Sequence, residues 1–481
     1  MIEQIKHRGP DGNGLVDIPA GSLGHARLAI LDVAGGRQPM NYEQHWISFN
    51  GEIYNHLDLR YRYLKEQPLG TRTDTEVILH LYTLFGPQCV ELLDGMFAFA
   101  IISGDELLLA RDPLGIKPLY LGTKGDTLYF ASEVKALSQL TDDIREFPPG
   151  HWYHSKLGWR CYYELGDRIQ TVKPIAPSED EALPFVRDTL RQAVHKRLMS
   201  DVPLGVSLSG GLDSSIVSLL ACEGLEQLNS FTVGVEGSPD LAAARAVARF
   251  LGTKHHEFVY TVQDIQAVLP EVIYYLESFD LALVRSAVPN YFLARLASEQ
   301  VKVLLTGEGA DELYAGYTYL GAFDEPEALQ SELVYITASL HNTNLQRADR
   351  MSMAHGLEAR VPFLDVKSVA LALSLSAGWK LQKEDRPEKA LLRRAFAGNL
   401  PEEIVNRPKQ KFSQGAGSSA MMAQWAKEAI GDAEFASERE RLERDWNYQL
   451  PNKEALYYYQ ILRQFYRDEW ILLGMGRSRS I

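Results

Sequence analysis

The rhythm of apolar and polar residues changes about a third of the way along the chain. Up to Tyr163, short apolar or alternating runs ("MFAFAIIS", "ELLLARD", "IKPLYLG", "TLYFAS") are separated by Gly104-Asp105, Pro113-Leu114-Gly115 and Gly125-Asp126. Such runs, broken by tight-turn residues, predict an antiparallel meander. One helix interrupts it at "TDTEVILHLYTLFG", where Asp74 is placed to cap and Val77, Leu81 and Leu84 share a face. The acidic, Pro-rich "VKPIAPSEDEALP" then reads as a connector and sets two domains, 1–165 and 175–481. Beyond it, Val186, Leu190, Val194 and Leu198 recur four apart and predict a helix. Strand-like runs ("LGVSLS", "SFTVGV", "HHEFVY", "VKVLLTGEG") alternate with helical stretches, one from about Ser214 and one at the Ala-rich "LAAARAVARFLG". That alternation predicts an α/β parallel sheet covered on both faces, followed by a mainly helical C-terminal part.

Composition narrows the class. At 481 residues the chain is too long for one ordinary core, and 46% hydrophobic with 23% charged residues is globular. A net charge of −14 leaves no broad basic surface for nucleic acid, although a local positive pocket can still take a nucleotide. The three cysteines, Cys89, Cys161 and Cys222, are too few and too scattered for a disulfide framework or a CxxC metal site, which fits a reducing cytoplasm. No apolar run is long enough for a membrane span.

The chemistry gathers in three stretches. "SGGLDSS" falls where a strand hands over to a helix, the place where open parallel sheets bind ligands. Unhindered amides at Gly210 and Gly211, the helix N-terminus, and the hydroxyls of Ser209, Ser214 and Ser215 make an anion cradle. No "GK[ST]" occurs, so this is not a nucleoside-triphosphate P-loop. Asp213 would repel phosphate unless a cation stood between them, which predicts Mg²⁺. "LLTGEGADELYAGY" brings Glu308, Asp311 and Glu312 to the same sheet edge, with Asp311 a natural second ligand and Glu308 suited to proton handling or to placing an amine. In "NRPKQKFSQGAG", Lys409 or Lys411 could neutralise charge on a leaving pyrophosphate.

In this order these residues resemble the glutamine-dependent asparagine synthetases. "SGGLDSS" is similar to the loop of the wider ATP-pyrophosphatase (PP-loop) group. "GEGADE", "HGLEARVPFLD" and "RPKQKFS" narrow the resemblance to asparagine synthetases and relatives such as β-lactam synthetases. "HRGPDG", "ARLAILD", "FNGEIYN", "TRTDTE", "ARDPLGIKPLY" and "FASEVKAL" resemble the class II glutaminase domain, an antiparallel α+β sandwich of the N-terminal-nucleophile type. The resemblance implies ATP-dependent amidation of aspartate through β-aspartyl-AMP. Asp213 and Asp311 would hold Mg²⁺, while Ser209, Gly210, Gly211, Ser214 and Ser215 would take the pyrophosphate of ATP. Leu208, Val233, Thr306 and Gly307 would border the nucleotide, Lys409 would support adenylation, and Glu308 would orient or deprotonate ammonia. Arg27, Asn50, Gly51, Glu52 and Asp74 would bind glutamine, with Asn50 and Gly51 as oxyanion hole. The expected partners are aspartate, ATP and glutamine or ammonia, with no nucleic acid and no membrane, and a homodimer is one assembly compatible with this.

One departure from the family stands out. Family chains begin Met-Cys, and that cysteine is the nucleophile, well upstream of "HRGPD". Here "HRGPD" starts at His7 and no cysteine precedes Cys89, so either the true start is lacking or this protein has no such thiol. The expectation for these 481 residues is adenylation with free ammonia and no glutamine hydrolysis. Two other readings compete: the same chemistry on another carboxylate, and a non-catalytic nucleotide sensor. The intact "SGGLDSS" and "GEGADE" weigh against the second.

Overall fold

The computed structural model describes residues 1–171, 176–384, 386–408 and 419–466. Lys409 and Lys411 lie outside the described residues.

The N-terminal half is built on strands β1 (Gly12–Ile18), β2 (Gly21–Arg27), β3 (Met40–Tyr42), β4 (His45–Ile53), β5 (Gly95–Ser103), β6 (Glu106–Arg111), β7 (Tyr120–Lys124), β8 (Thr127–Ala131), β9 (Asp143–Glu146), β10 (His151–His154) and β11 (Gly158–Cys161). They form a six-stranded sheet in the order β11-β10-β6-β5-β4-β3, a three-stranded sheet β8-β7-β9 and the hairpin β1-β2, with every pairing antiparallel. Strand β5 shows why the large sheet is buried on both sides. Phe97, Phe99 and Ile101 pack with Val77, Leu81 and Cys89, whereas Ala98, Ala100 and Ile102 pack with Leu23 and Leu121 of the smaller sheets and with Phe147, just after β9. Alternation with period two sends each set to its own layer.

The helix Asp74–Phe85 forms as expected, but two details differ. Thr73, not Asp74, is the cap: its hydroxyl accepts the Glu76 N–H at 3.3 Å. Asp74 is the first helical residue, and its carboxylate turns back to accept the Ile53 N–H at 2.8 Å. Leu84 is 46% exposed, so the buried face rests on Val77, Ile78 and Leu81.

The acidic half of the supposed connector is helical. Ser178 caps the helix Glu179–Lys196, which carries Pro184 inside it and buries Ala182, Val186, Leu190 and Val194. Leu198 falls beyond its end. Four buried side chains on one stripe, each contributing roughly 1.5–3 kcal/mol for the larger ones, outweigh the turn-forming reading of Pro and Ser.

The C-terminal half carries a parallel sheet of β12 (Leu204–Ser207), β13 (Asn229–Gly234), β14 (Lys254–Val259), β15 (Val303–Leu305) and β16 (Glu358–Arg360), ordered β14-β13-β12-β15-β16. Helices Leu212–Cys222, Pro239–Leu251 and Leu281–Ser298 connect its strands. β16 escapes the hydrophobic pattern because its outer residues are charged. Glu358 and Arg360 are nonetheless buried, since they neutralise each other at 2.9 Å. The two halves meet across further buried ion pairs, among them Arg8 to Asp349 at 2.7 Å. No helix of the described residues is long and apolar enough to cross a membrane.

Candidate active sites

At the C-terminal end of β12 the chain turns through Ser209, Gly210 and Gly211 into the helix Leu212–Cys222. The adjacent glycines have different reasons. Gly210 has φ +69°, and a Cβ there would lie 2.4 Å from the backbone carbon of Ala243 in the neighbouring helix. Gly211 is the N-cap, and its missing Cβ would meet only the Ser209 hydroxyl, at 3.3 Å. One glycine lets the elements pack; the other leaves open the space over the helix N-terminus.

Around that space the hydroxyls are pre-set. Ser214 Oγ accepts the Ser209 N–H at 3.2 Å, and Ser209 Oγ accepts the Gly211 N–H at 3.3 Å. Ser215 is wholly buried, and its hydroxyl has no partner among the described residues. Gly307, leaving β15, passes so close that a Cβ would stand 2.9 Å from that of Asp213. Leu208 is buried against Ala244 and Val247, and Val233, on the neighbouring strand β13, belongs to a separate buried cluster. The Thr306 N–H donates to the Arg360 carbonyl at 2.9 Å, and its hydroxyl is buried without a partner.

The two predicted metal carboxylates do come together, and a cation joins them. Lys389 Nζ lies 2.5 Å from Asp213 Oδ2 and 2.6 Å from Asp311 Oδ1. Lys389 is 3% exposed and sits in the left-handed region at φ +57°. A non-glycine residue held there stores roughly 1–3 kcal/mol of strain, which its surroundings must impose. Two carboxylates close enough to share one ammonium fit Mg²⁺, which takes one or two carboxylates and completes its shell with phosphate oxygens and water. Among the described residues no group of three ligating side chains gathers anywhere, so an all-protein cage is not what this site offers. Arg407 holds the turn from outside, donating to the Ser209 carbonyl at 3.1 Å and to Asp240 at 2.7 Å.

Glu308, on the same loop, is ion-paired with Arg347 of the helix Asn344–Met353. Glu312 is buried beside it, accepting the Tyr317 hydroxyl at 2.5 Å and the Asn344 amide at 3.1 Å. Burial, and then the charge of Asp311, push its carboxyl up to about 7.

A second site opens in the N-terminal half, as a cavity of about 780 Å³ lined by Arg27, Asn50, Gly51, Glu52 and Asp74. Gly51 has φ +145°, and a Cβ would fall 2.0 Å from the Met96 carbonyl oxygen, so β4 and β5 close only around glycine. The Asn50 amide nitrogen is buried without a partner among the described residues, a donor waiting for an acceptor. Glu52 is buried with one oxygen unpartnered and the other 3.3 Å from Arg360. Burial, with the Asp74 charge beside it, holds Glu52 well above the usual carboxylate range, and burial lifts Asp74 to about 6.

None of the three cysteines lines this cavity. Cys89 is wholly buried and its thiol is pushed up by burial. Cys161 ends β11, and Cys222 ends its helix.

Comparison with known proteins explains the pairing of two such sites in one chain. The family model for the glutamine amidotransferase domain matches residues 1–147, and that for asparagine synthase matches 185–328 and 321–473. The probable glutamine-hydrolysing asparagine synthetase of Schizosaccharomyces pombe is 39% identical over 513 residues, covering 97% of this chain and 89% of that protein. Asparagine synthetase 2 of Arabidopsis thaliana is 40% identical over 496 residues, covering 97% and 84%. The chain belongs to the asparagine synthetase family. It is a carbon–nitrogen ligase that makes asparagine with ATP. Its antiparallel amidotransferase half and parallel-sheet synthetase half are those expected from the sequence.

For a synthetase, the residue the sequence reading missed is Lys389. In "RPEKALLRRAF" it looks like any solvated lysine before a helix, and its partners lie 176 and 78 positions away. The one local signal was a lysine placed directly before an apolar helical run. Arg347 was missed for the same reason.

Proposed function

We propose that this synthetase adenylates the side-chain carboxylate of aspartate at the Asp213–Asp311 site and then amidates it. The observation that carries the reading is the buried Lys389 ammonium seated between those carboxylates, beside the open helix N-terminus at Gly211. Asp213 and Asp311 would hold Mg²⁺, which neutralises phosphate charge when bound. The amides and hydroxyls of Ser209, Gly210, Gly211, Ser214 and Ser215 accept the pyrophosphate, with Leu208, Val233, Thr306 and Gly307 along the nucleotide. The aspartate carboxylate oxygen attacks the α-phosphorus, and the bond to pyrophosphate breaks. Lys389 stays within reach of the charge that moves onto the leaving group, the task first given to Lys409. Ammonia then attacks the acyl carbon, AMP leaves, and Glu308 takes the surplus proton. The test is pyrophosphate release against a panel of carboxylates with ammonium chloride. Aspartate alone should support stoichiometric release, and equal release with other acceptors would overturn the assignment.

The roles separate further. Glu308→Gln keeps aspartate-dependent exchange of pyrophosphate into ATP but lowers amide formation on the order of 10²- to 10⁴-fold, the usual worth of one positioned proton acceptor. Parallel loss of both activities would place Glu308 in the first half-reaction instead.

The second cavity is assigned to glutamine: Arg27 for the α-carboxylate, Glu52 and Asp74 for the α-ammonium, Asn50 and Gly51 for the carbonyl oxygen. Asp74, lifted to about 6, binds an ammonium only when ionised. Glutamine affinity, read by calorimetry, should therefore be full above pH 7 and fall as the pH drops through about 6. An affinity flat from pH 7.5 to 5 would remove Asp74 from the ammonium site.

A further inference from the structure

The adenylation site as described lacks one thing: a group that distinguishes a dicarboxylate such as aspartate from an acceptor with a single carboxylate. Its own surroundings are acidic: Asp213 and Asp311 share Lys389, and Glu308 and Glu312 carry further charge on the loop that holds Asp311. A dicarboxylate can enter only against a cation. Among the described residues near the site the cations are mostly committed. Lys389 bridges Asp213 and Asp311, Arg393 pairs with Glu388, and Arg407 with Asp240.

Arg347 differs. Its side chain is 9% exposed, yet among the described residues its only ionic partner is Glu308, the more accessible of the two at 22%. One terminal nitrogen donates to Ser286 Oγ at 3.0 Å and to Asn344 Oδ1 at 3.3 Å, which fixes the plane of the guanidinium. Its Nε is buried with no acceptor among the described residues. A buried arginine with an unmet donor and a displaceable carboxylate partner is a fork set for a second carboxylate.

We propose that Arg347 is the acceptor-binding residue that reads the α-carboxylate of aspartate, taking it in place of Glu308. The proposal rests on the adenylation reading above. Ser286 and Asn344 hold the fork in place, and the exchange of partners frees Glu308, which the second half-reaction then uses. Amidation competence is thus tied to an acceptor that carries a second carboxylate besides the one adenylated. Succinate and aspartate meet the same arginine; β-alanine, which is aspartate without the α-carboxylate, does not.

The experiment compares aspartate with β-alanine in pyrophosphate exchange, using the intact chain and its Arg347→Gln and Arg347→Lys variants. The unaltered protein should strongly prefer aspartate. Arg347→Gln should raise the KM for aspartate by about 30-fold or more, the lower end for removing one partner of a buried charge pair. It should leave the KM for ATP and the activity with β-alanine nearly unchanged, so that the preference collapses. Arg347→Lys keeps the charge without the fork and should fall between; it carries the test alone if Arg347→Gln does not fold. Equal losses with both acceptors, or an unchanged preference, would overturn the proposal and leave Arg347 a scaffold for Glu308. If the unaltered protein shows no aspartate-dependent exchange, the adenylation reading itself fails, which is a separate outcome.

Discussion

Lys389→Met is expected to lower aspartate-dependent pyrophosphate release by on the order of 10²- to 10³-fold, the range for removing one preorganised charge from a water-poor site. It should also make the protein's stability depend on Mg²⁺. The side chain is buried between Asp213 and Asp311, and removing one partner of a buried ionic cluster costs about 3–5 kcal/mol because the remaining charges are left without a counter-ion. In the variant, Mg²⁺ can take the vacated place between the carboxylates, so its addition should raise Tm by several degrees. The unaltered protein, whose ammonium competes for the same oxygens, should respond less. Asp213→Asn should abolish release too, but without the Mg²⁺-dependent gain, since it removes a metal ligand and leaves Asp311 alone with Lys389. Near-normal release by Asp213→Asn, or a Tm of Lys389→Met indifferent to Mg²⁺, would each sink the shared-cation account.

The same cluster marks where sequence reading stops. Patterns with short periods carried the elements: the two-residue alternation of β5, the four-residue stripe Val186–Leu190–Val194, and the apolar runs of β12, β13 and β15. Local chemistry with a geometric requirement was legible as well. The turn at Ser209 to Gly211 demands glycine, and the structure shows Gly210 meeting a neighbouring helix and Gly211 capping its own. What stayed hidden depends on contacts across long stretches of chain. Lys389 gains its meaning only once β12, β15 and the approach to the helix Ala390–Ala395 lie together. β16 carries charge in a sheet, and nothing in "GLEARV" tells that Glu358 and Arg360 neutralise each other. The cap at Thr73 was misread one position along, since Asp74 is an equally good capping residue and only tertiary contact with Ile53 diverts it.

That diversion bears on the nitrogen source, and the expected result is a split. A polypeptide made of these 481 residues alone should form asparagine from ammonium chloride and release no glutamate from glutamine, while still binding glutamine. Binding follows from what the cavity contains: Arg27 at the end of β2, the unpartnered Asn50 amide, and the two carboxylates of Glu52 and Asp74, all lining one space. Hydrolysis needs something more, a nucleophile with a base beside it to form and then release an acyl intermediate. Thiolate is the reactive form, and the thiols present are wrongly placed for that. Cys89 packs with Val77, Ile78 and Phe97 in the core behind the sheet, and burial disfavours its ionised form. Cys161 lies at the outer edge strand, where it donates weakly to the Tyr163 carbonyl at 3.5 Å, and Cys222 is in the other half. With ammonia drawn from solution, where most of it is ammonium, the rate should climb with pH as the free base is released, until the ammonium group itself is titrated. Glutamate and asparagine are measured side by side, with glutamine or ammonium chloride as sole donor. Glutamate formed at the rate of asparagine would refute the split, and would require a nucleophile among the residues that line the cavity.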